Sequence, residues 1–339
     1  MSMIKFIIRR MIAMIPVLFG VLTLVFVLSR LMPGDPVMAY MPEGHFDPVF
    51  YNQMVHALGF DQPIILQYFR YLGDLFVGNW GISISINRGQ FVWDLIMQRL
   101  PRTVDISIFS MLIAGFLGIK TGVVSAVHRN KPKDTILRGL ALVGVAIPVF
   151  FMGMILQFTL GYLVPIFPTT GFKTYSYGNP PFVTGFRMID AFLSGQFYMI
   201  GDYLYHLVLP VVCLSFIVLA GITRQSRSSM LEVLEQDYVR TARAKGCKEK
   251  DVINTHARKN SLIPTITVIG LSFAGLLSGA VLTETTFGLI GMGELLIAAI
   301  TNVDYWVLNA IVFVITIMFV SINLVTDVIY AMLDPRIVY

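Results

Sequence analysis

Gly115, Gly118, Lys120 and Thr121 follow one another in the order in which a phosphate-binding loop presents small residues, an ammonium and a hydroxyl to a nucleotide. The spacing fails. Ile119 separates the glycine from the lysine, and the run lies in an apolar stretch where no strand-to-helix turn can cradle a phosphate. Small residues at this spacing suit close helix packing instead. LSGA at 277–280 echoes an ATPase signature sequence only by chance, so no ATP site is expected on this chain. The five histidines, His45, His56, His128, His206 and His256, show no H-E-x-x-H or comparable ligand spacing. Two cysteines, Cys213 and Cys247, can build neither a disulfide framework nor a four-ligand zinc site. No cluster of Ser, His and Asp that could act on a substrate at membrane depth is evident. The expectation is a chain with no catalytic residue, no metal site and no enzymatic activity of its own.

The elements that would carry any other chemistry are written in the spacing of charge. The 339 residues are 56% hydrophobic and 13% charged, with a mean hydropathy of +0.74; a soluble domain carries about 25% charge. No Asp, Glu, Lys or Arg occurs in 11–29, 106–119, 139–172, 203–223, 260–283 or 305–326. Roughly 20 apolar residues cross a hydrocarbon core as a helix. The prediction is an all-α membrane protein forming a single domain over 1–339, with six transmembrane helices at about 11–31, 103–123, 135–165, 203–223, 262–283 and 305–327. The N-terminal apolar run exceeds a signal-peptide core and lacks a small-residue cleavage site, so it is expected to stay as an anchor. Pro148 and Pro210 fall inside the third and fourth spans and are candidate hinges or static kinks. His206 could face a pathway or anchor at the interface, and the near-interface Glu284 and Asp327 should find water or a partner.

With an even number of spans both termini share a side. The polar segments on that side, 1–10, 120–138, 224–259 and 327–339, hold 18 of the 25 Lys and Arg. By the positive-inside rule they are cytoplasmic, and the net charge of +5 is an orientation signal rather than a sign of nucleic-acid binding. An extracytoplasmic insertion at 33–100 is too long to be structureless. Two amphipathic helices are predicted in it, near 47–58 and from Pro63 to about 76, followed by a turn-rich segment at 78–89. The Gly-, Pro- and Tyr-rich stretch 166–202 is expected to be a second outer surface.

The most charged segment is a cytoplasmic loop at 224–260, with nine basic and five acidic residues between 224 and 259. Ser229 and Glu232 have capping-box spacing, a helical pattern runs to Lys245, and Gly246 can end it in a left-handed cap. A second helix is predicted at about 249–259. Small residues at Thr241, Ala242, Ala244 and Gly246 would let another protein approach the backbone closely. Read from composition alone this is either such a docking segment or an ordinary solvated loop; a DNA-binding helix pair is disfavoured because spans on both sides hold it at the bilayer.

The run RSSMLEVLEQDYVRTARAKG at 227–246 resembles the cytoplasmic loop of the dipeptide, oligopeptide and nickel permease family of ABC importers, and the chain is most similar to the dipeptide-permease B-type subunits. The family's E-A-A triplet falls on Arg240, Thr241 and Ala242, and its glycine on Gly246. The general I-x-L-P that follows does not match at 256–259. The peptide-branch form, His-Ala-x-x-Asn then Pro, matches at His256, Ala257, Asn260 and Pro264. Further matching segments are MPGDP at 32–36, LGFDQP at 58–63, GNWGIS at 78–83, RLPRT at 99–103, IPVF at 147–150, LTETTF at 282–287, Asp304-Tyr305 and LDPR at 333–336; LIGMG at 289–293 departs from the family's usual turn.

The resemblance implies a type I ABC importer permease in a bacterial or archaeal cell membrane, forming half of a translocation pore with a homologous second permease subunit. It implies two cytoplasmic ATPase subunits that use MgATP, an extracytoplasmic substrate-binding protein, contact with membrane lipid, and no cofactor on this chain. The ATPase-coupling residues it assigns are Glu235, Asp237, Tyr238, Arg240, Thr241, Ala242, Arg243, Ala244, Lys245 and Gly246. The implied cargo is a di- or oligopeptide, with oligosaccharides and nickel chelates as alternatives in the same family, and an ATP-independent carrier or channel as the alternative outside it.

Overall fold

The computed structural model describes residues 3–31, 35, 37–41 and 46–333. MPGDP at 32–36 and LDPR at 333–336 lie almost wholly outside them. The described residues form fourteen α-helices and no sheet; Ile82 and Phe91 pair in one isolated antiparallel bridge. α1 (Met3–Leu31) is followed by α2 (Pro48–Leu58) and α3 (Ile64–Val77), close to where the sequence predicts two helices in the insertion. Their ends obey local chemistry. Asp47 accepts from the amides of Val49 and Phe50, Pro48 opens α2, and Gly59 and Gly78 close the two helices at φ of +73° and +84°.

α4 (Val92–Val127) begins eleven residues before the predicted second span. α5 (Pro132–Ala146) and α6 (Val149–Leu156), the latter continued by π-helical turns over Gln157–Leu163, replace the single third span with two arms bent by 103°. Each arm is about 22 Å long at 1.5 Å per residue, short of a hydrocarbon core. The expected kink is therefore a break. Pro148 has no amide to continue the ladder, Ile147 before it is extended, and Pro148 stands at the N-cap of α6. Pro210, by contrast, is buried within α8 (Phe197–Leu234), which runs through it as one helix and is preceded by the short α7 (Arg187–Leu193).

After α9 (Asp237–Ala244), α10 (Glu249–Asp251) runs through π-helical turns at Val252–Ala257 into α11 (Arg258–Gly279). α12 (Val281–Phe287) and α13 (Met292–Thr301) form a second bent pair at 95°, and α14 (Tyr305–Leu333) ends the described chain. Among the described residues, five helical stretches are long and apolar enough to cross a membrane, Ile4–Leu31, Val92–Val127, Phe197–Leu234, Glu249–Leu277 and Tyr305–Met332, and each of the two bent pairs would make one more if taken as a broken span.

Of the two glycines that mimic a phosphate loop, Gly118 is a packing residue, as is Gly122 one turn further on. A Cβ on Gly118 would lie 2.7 Å from Ile222 Cγ2, and one on Gly122 would lie 2.5 Å from Ser226 Cβ, so α4 and α8 meet with their backbones close. Their apolar contact forms one core with α11 and α12. A second core joins α1, α3, α13 and α14 around Trp80, and a third, smaller one lies under α9.

Candidate functional site

The loop between α8 and α11 differs from the expected helix–glycine–helix at its start. Ser229 is no N-cap: α8 continues past it to Leu234, and its buried hydroxyl accepts from Gln225 Nε2 at 3.0 Å. The helical ladder of α8 runs on through Ser229 to Leu234, leaving no orphan amide there to cap. The chain breaks instead at Glu235 and Gln236, and α9 begins at Asp237.

α9 has two faces. Val239 and Ala242 are buried in a cluster with Ala126 of α4, Met230 of α8, and Val252 and Ala257 at the foot of α11. Asp237, Tyr238, Arg240, Thr241, Arg243 and Ala244 are exposed, as are Glu235, Lys245 and Gly246 on its flanks. Ala242 is thus spent on the chain's own packing, while Thr241, Ala244 and Gly246 leave the small-residue surface open. Gly246 closes the helix at φ +78°, and a Cβ added there would meet nothing within 4 Å. Arg243 spans the turn and donates from Nε and Nη2 to Glu249 at 3.1 and 2.7 Å, a fork that raises its pKa above the ordinary value. Tyr238 accepts from Asn260 Nδ2 at 2.8 Å, and Arg129 reaches Glu235 at 3.0 Å. The peptide-branch asparagine therefore braces α9 against the next helix.

Three buried carboxylates that sequence reading did not join to partners hold this architecture. Asp134, at the start of α5, accepts Arg227 Nε and Nη2 of α8, both at 2.8 Å, together with Ser125 Oγ and the amide of Asn130. Glu284 of α12 accepts from Thr103 Oγ1 and from the amides of Gly293 and Glu294, so it caps α13 from outside that helix. A Cβ on Gly291 would lie 2.4 Å from the Glu284 carboxyl carbon, which explains the glycine in the divergent 289–293 turn. Asp304, before α14, takes the Ser83 hydroxyl and the amides of Ile84, Ser85 and Ile86 on one oxygen. The matching segments RLPRT and LTETTF meet at Glu284, and GNWGIS meets Asp304. A lone acid beside an apolar run was the available signal.

His206 is buried, with its Nδ1 2.8 Å from the Asp202 carbonyl oxygen and 3.5 Å from Asp202 Oδ1. Among the described residues no group of three or more His, Cys, Asp and Glu is placed to hold a metal ion.

Comparison with known proteins gives this architecture its class. Residues 118–339 match the family of binding-protein-dependent transport system inner membrane components, and residues 3–107 match the N-terminal part of such a membrane component. The chain belongs to that family. It is 41% identical over 335 residues to the di/tripeptide transport system permease protein DppB of Pseudomonas aeruginosa, covering 99% of each. It is 38% identical to the dipeptide transport system permease protein DppB of Escherichia coli K12, covering 99% of each, and 36% identical to the oligopeptide transport system permease protein AppB of Bacillus subtilis, covering 99% of this chain and 100% of that one. The fold resembles a chain of the MetNI methionine ABC transporter in an inward-facing conformation, with a TM-score of 0.54 and 13% identity over 71% of this chain and 96% of that one. The chain is a multi-pass inner-membrane permease subunit, not an enzyme.

Proposed function

We infer that the chain is one half of the translocation pore of an ATP-driven importer of di- and oligopeptides. The observation that carries this is end-to-end similarity to permeases of peptide transport systems at 36 to 41% identity. In this reading the membrane is crossed six times, the bent pair α5–α6 supplying the third crossing, and both termini, α9 and Arg227 are cytoplasmic. A second homologous permease completes the pore, two ATPase subunits bind MgATP below it, and an extracytoplasmic binding protein delivers cargo to the outer loops.

The shape of the polar loop supports a coupling role for α9. Its exposed residues Asp237, Tyr238, Arg240, Thr241, Arg243, Ala244, Lys245 and Gly246, with Glu235 before them, form the seat for an ATPase subunit. Its buried pair, Val239 and Ala242, bears on α4, α8 and the foot of α11 at once. Displacing α9 would then displace three spans together, shifting the population between inward- and outward-open states. The break at Pro148 is the place where the α5 arm can swing against α6, and Pro210 is a second candidate hinge.

Uptake tests the cargo. Deleting the gene in its host should abolish accumulation of radiolabelled dipeptide while oligosaccharide and nickel-chelate uptake persist. Loss of either of those with peptide uptake intact would reassign the cargo within the family.

A further inference from the structure

α4 and α8 run side by side in the same direction, so the ends opposite α9 also meet. There, between the start of both helices and the 172–190 segment, lies a cleft of about 480 Å³. Its lining includes Arg102, Phe172, Asn179, Phe182, Arg187, Tyr203 and one carboxylate, Asp190. Tyr203 is fully buried at the floor and Phe182 is 67% exposed at the rim. Two guanidinium groups flank one aromatic ring: the Arg102 carbon lies 3.9 Å and the Arg187 carbon 5.9 Å from the Phe172 centroid. The two cations are therefore within about 10 Å of each other, close to the screening length of physiological salt.

Among the described residues neither guanidinium makes an ion pair within 4 Å, and the carboxylates that act on them, Asp202 on Arg187 and Glu284 on Arg102, do so through space. Arg102 donates to the Ile290 carbonyl; Arg187 donates to Asn179 Oδ1 at 2.9 Å and the Gly178 carbonyl at 3.0 Å. Arg187 is 8% exposed and its Nε has no acceptor. Several nearby acids are engaged elsewhere. Asp190 accepts the amides of Val183, Thr184 and Gly185 and the Thr184 hydroxyl. Asp202 accepts the amide and hydroxyl of Thr174, Glu294 holds Arg99, and Glu284 caps α13. A guanidinium offers five donors in a planar fork, so most of the hydrogen-bonding capacity of both side chains is unspent. Proteins seldom leave two such groups in a partly buried concavity without an anion to share.

We propose that this cleft is an outward-facing subsite for a carboxylate, namely the free C-terminal carboxylate of a peptide passing into the pore. The inference rests on the peptide reading above. A carboxylate accepts from an arginine fork in a bidentate geometry, and the apolar faces of Phe172 and Phe182 can cover a side chain without selecting it. The C-terminal carboxylate is the group that di- and oligopeptides of every sequence share, so a site that reads it tolerates varied cargo.

A thiol reporter at the rim tests this in right-side-out vesicles holding the assembled transporter, with Phe182→Cys in a Cys247→Ser background and an impermeant maleimide. Dialanine, dialanine amide, inorganic phosphate and the purified binding protein without peptide serve as separate probes. Dialanine should slow modification by about threefold at two-thirds occupancy, as mass action requires, and its amide should not. Arg187→Gln, and independently Arg102→Gln, should remove the protection, read for each variant as the ratio of its own labelling rates with and without dialanine, because losing a nearby cation shifts the baseline thiol reactivity. Protection by the amide equal to that by dialanine overturns the carboxylate assignment. Protection by phosphate equal to that by dialanine makes the cleft a general anion site and also overturns it. Protection by the binding protein alone assigns the arginines to an acidic docking contact instead. Dialanine uptake by the wild-type transporter separates the two failures: uptake without protection removes the subsite and keeps the peptide reading, whereas absent uptake removes both.

Discussion

Replacing Asp304 with Ala should open the 83–86 loop without unfolding the bundle. One carboxylate oxygen accepts Ser83 Oγ at 2.7 Å and the amides of Ile84 at 3.0 Å, Ser85 at 3.1 Å and Ile86 at 3.4 Å. Asp304, Ser83 and Ile84 are nearly inaccessible to solvent, so water cannot replace the lost acceptor while the loop stays closed. Hydrogen bonds to charged groups contribute about 1.5–3 kcal/mol each, and a stranded buried donor costs about 1–3 kcal/mol. Four donors on one oxygen share its lone pairs and are not additive, so a local loss of about 4 kcal/mol is a reasonable sum. At 1.36 kcal/mol per tenfold, opening rises by about a thousandfold. Asp304→Asn keeps one acceptor oxygen without its charge and should cost about 1–2 kcal/mol, or roughly tenfold. Hydrogen–deuterium exchange of the purified chain reads this directly in the amides of Ile84, Ser85 and Ile86, with the α9 amides as an internal reference. Unchanged exchange at 83–86 in Asp304→Ala would refute the carboxylate as the clamp.

Other consequences are equally specific. Gly246→Asp places a side chain at φ +78°, costing about 1–2 kcal/mol, with no atom of the chain within 4 Å to clash; expression should hold while uptake falls, and normal uptake at normal expression removes Gly246 from the contact surface. Gly122→Val drives a side chain into Ser226 and should destabilise the α4–α8 contact by about 1–3 kcal/mol or more, read as a lower melting temperature, whereas Gly139→Val, with open space around it, should not. Burial opposes the charge on Asp190, but hydrogen bonds from Thr184, Val183 and Gly185 outweigh it and hold the carboxyl below its ordinary 3.8. Its contribution to the 183–190 loop is therefore present above about pH 4 and lost as pH falls further through the depressed value, so exchange of the Thr184 amide should rise in acid and Asp190→Asn should flatten that response. Tyr175, fully exposed, should as Tyr175→Cys react with an impermeant thiol reagent in intact cells, and the native Cys247 should not; the opposite labelling inverts the topology.

Local signals were legible wherever a residue acts on its own backbone. Asp47, Gly59, Pro63 and Gly78 delimit two helices, and Gly246 ends α9, because caps and left-handed closures depend on neighbours in sequence. Ser229 misled for the complementary reason. A capping box is meaningful only where the preceding backbone leaves the helix, and α8 does not. Pro148 could be read as a disturbance, but not as a 103° break, since the outcome depends on what packs against each arm. The contacts of Asp134, Glu284 and Asp304 span 93, 181 and 221 residues, and no local pattern joins such partners. Ala242 belongs to the same class: its small size was legible, but its burial under α9 depends on Ala126, Met230, Val252 and Ala257.

The central claim is that α9 seats an ATPase subunit while the spans hold the rest of the pore. Mild-detergent purification of the tagged chain from its host, with co-purifying subunits identified by mass spectrometry, tests it most directly. The wild-type chain should bring down a second permease and P-loop ATPases, and Arg240→Glu combined with Gly246→Asp should lose the ATPases while keeping the second permease. ATPases retained in full by that variant, or absent from the wild-type preparation while other ABC complexes survive, would contradict the account.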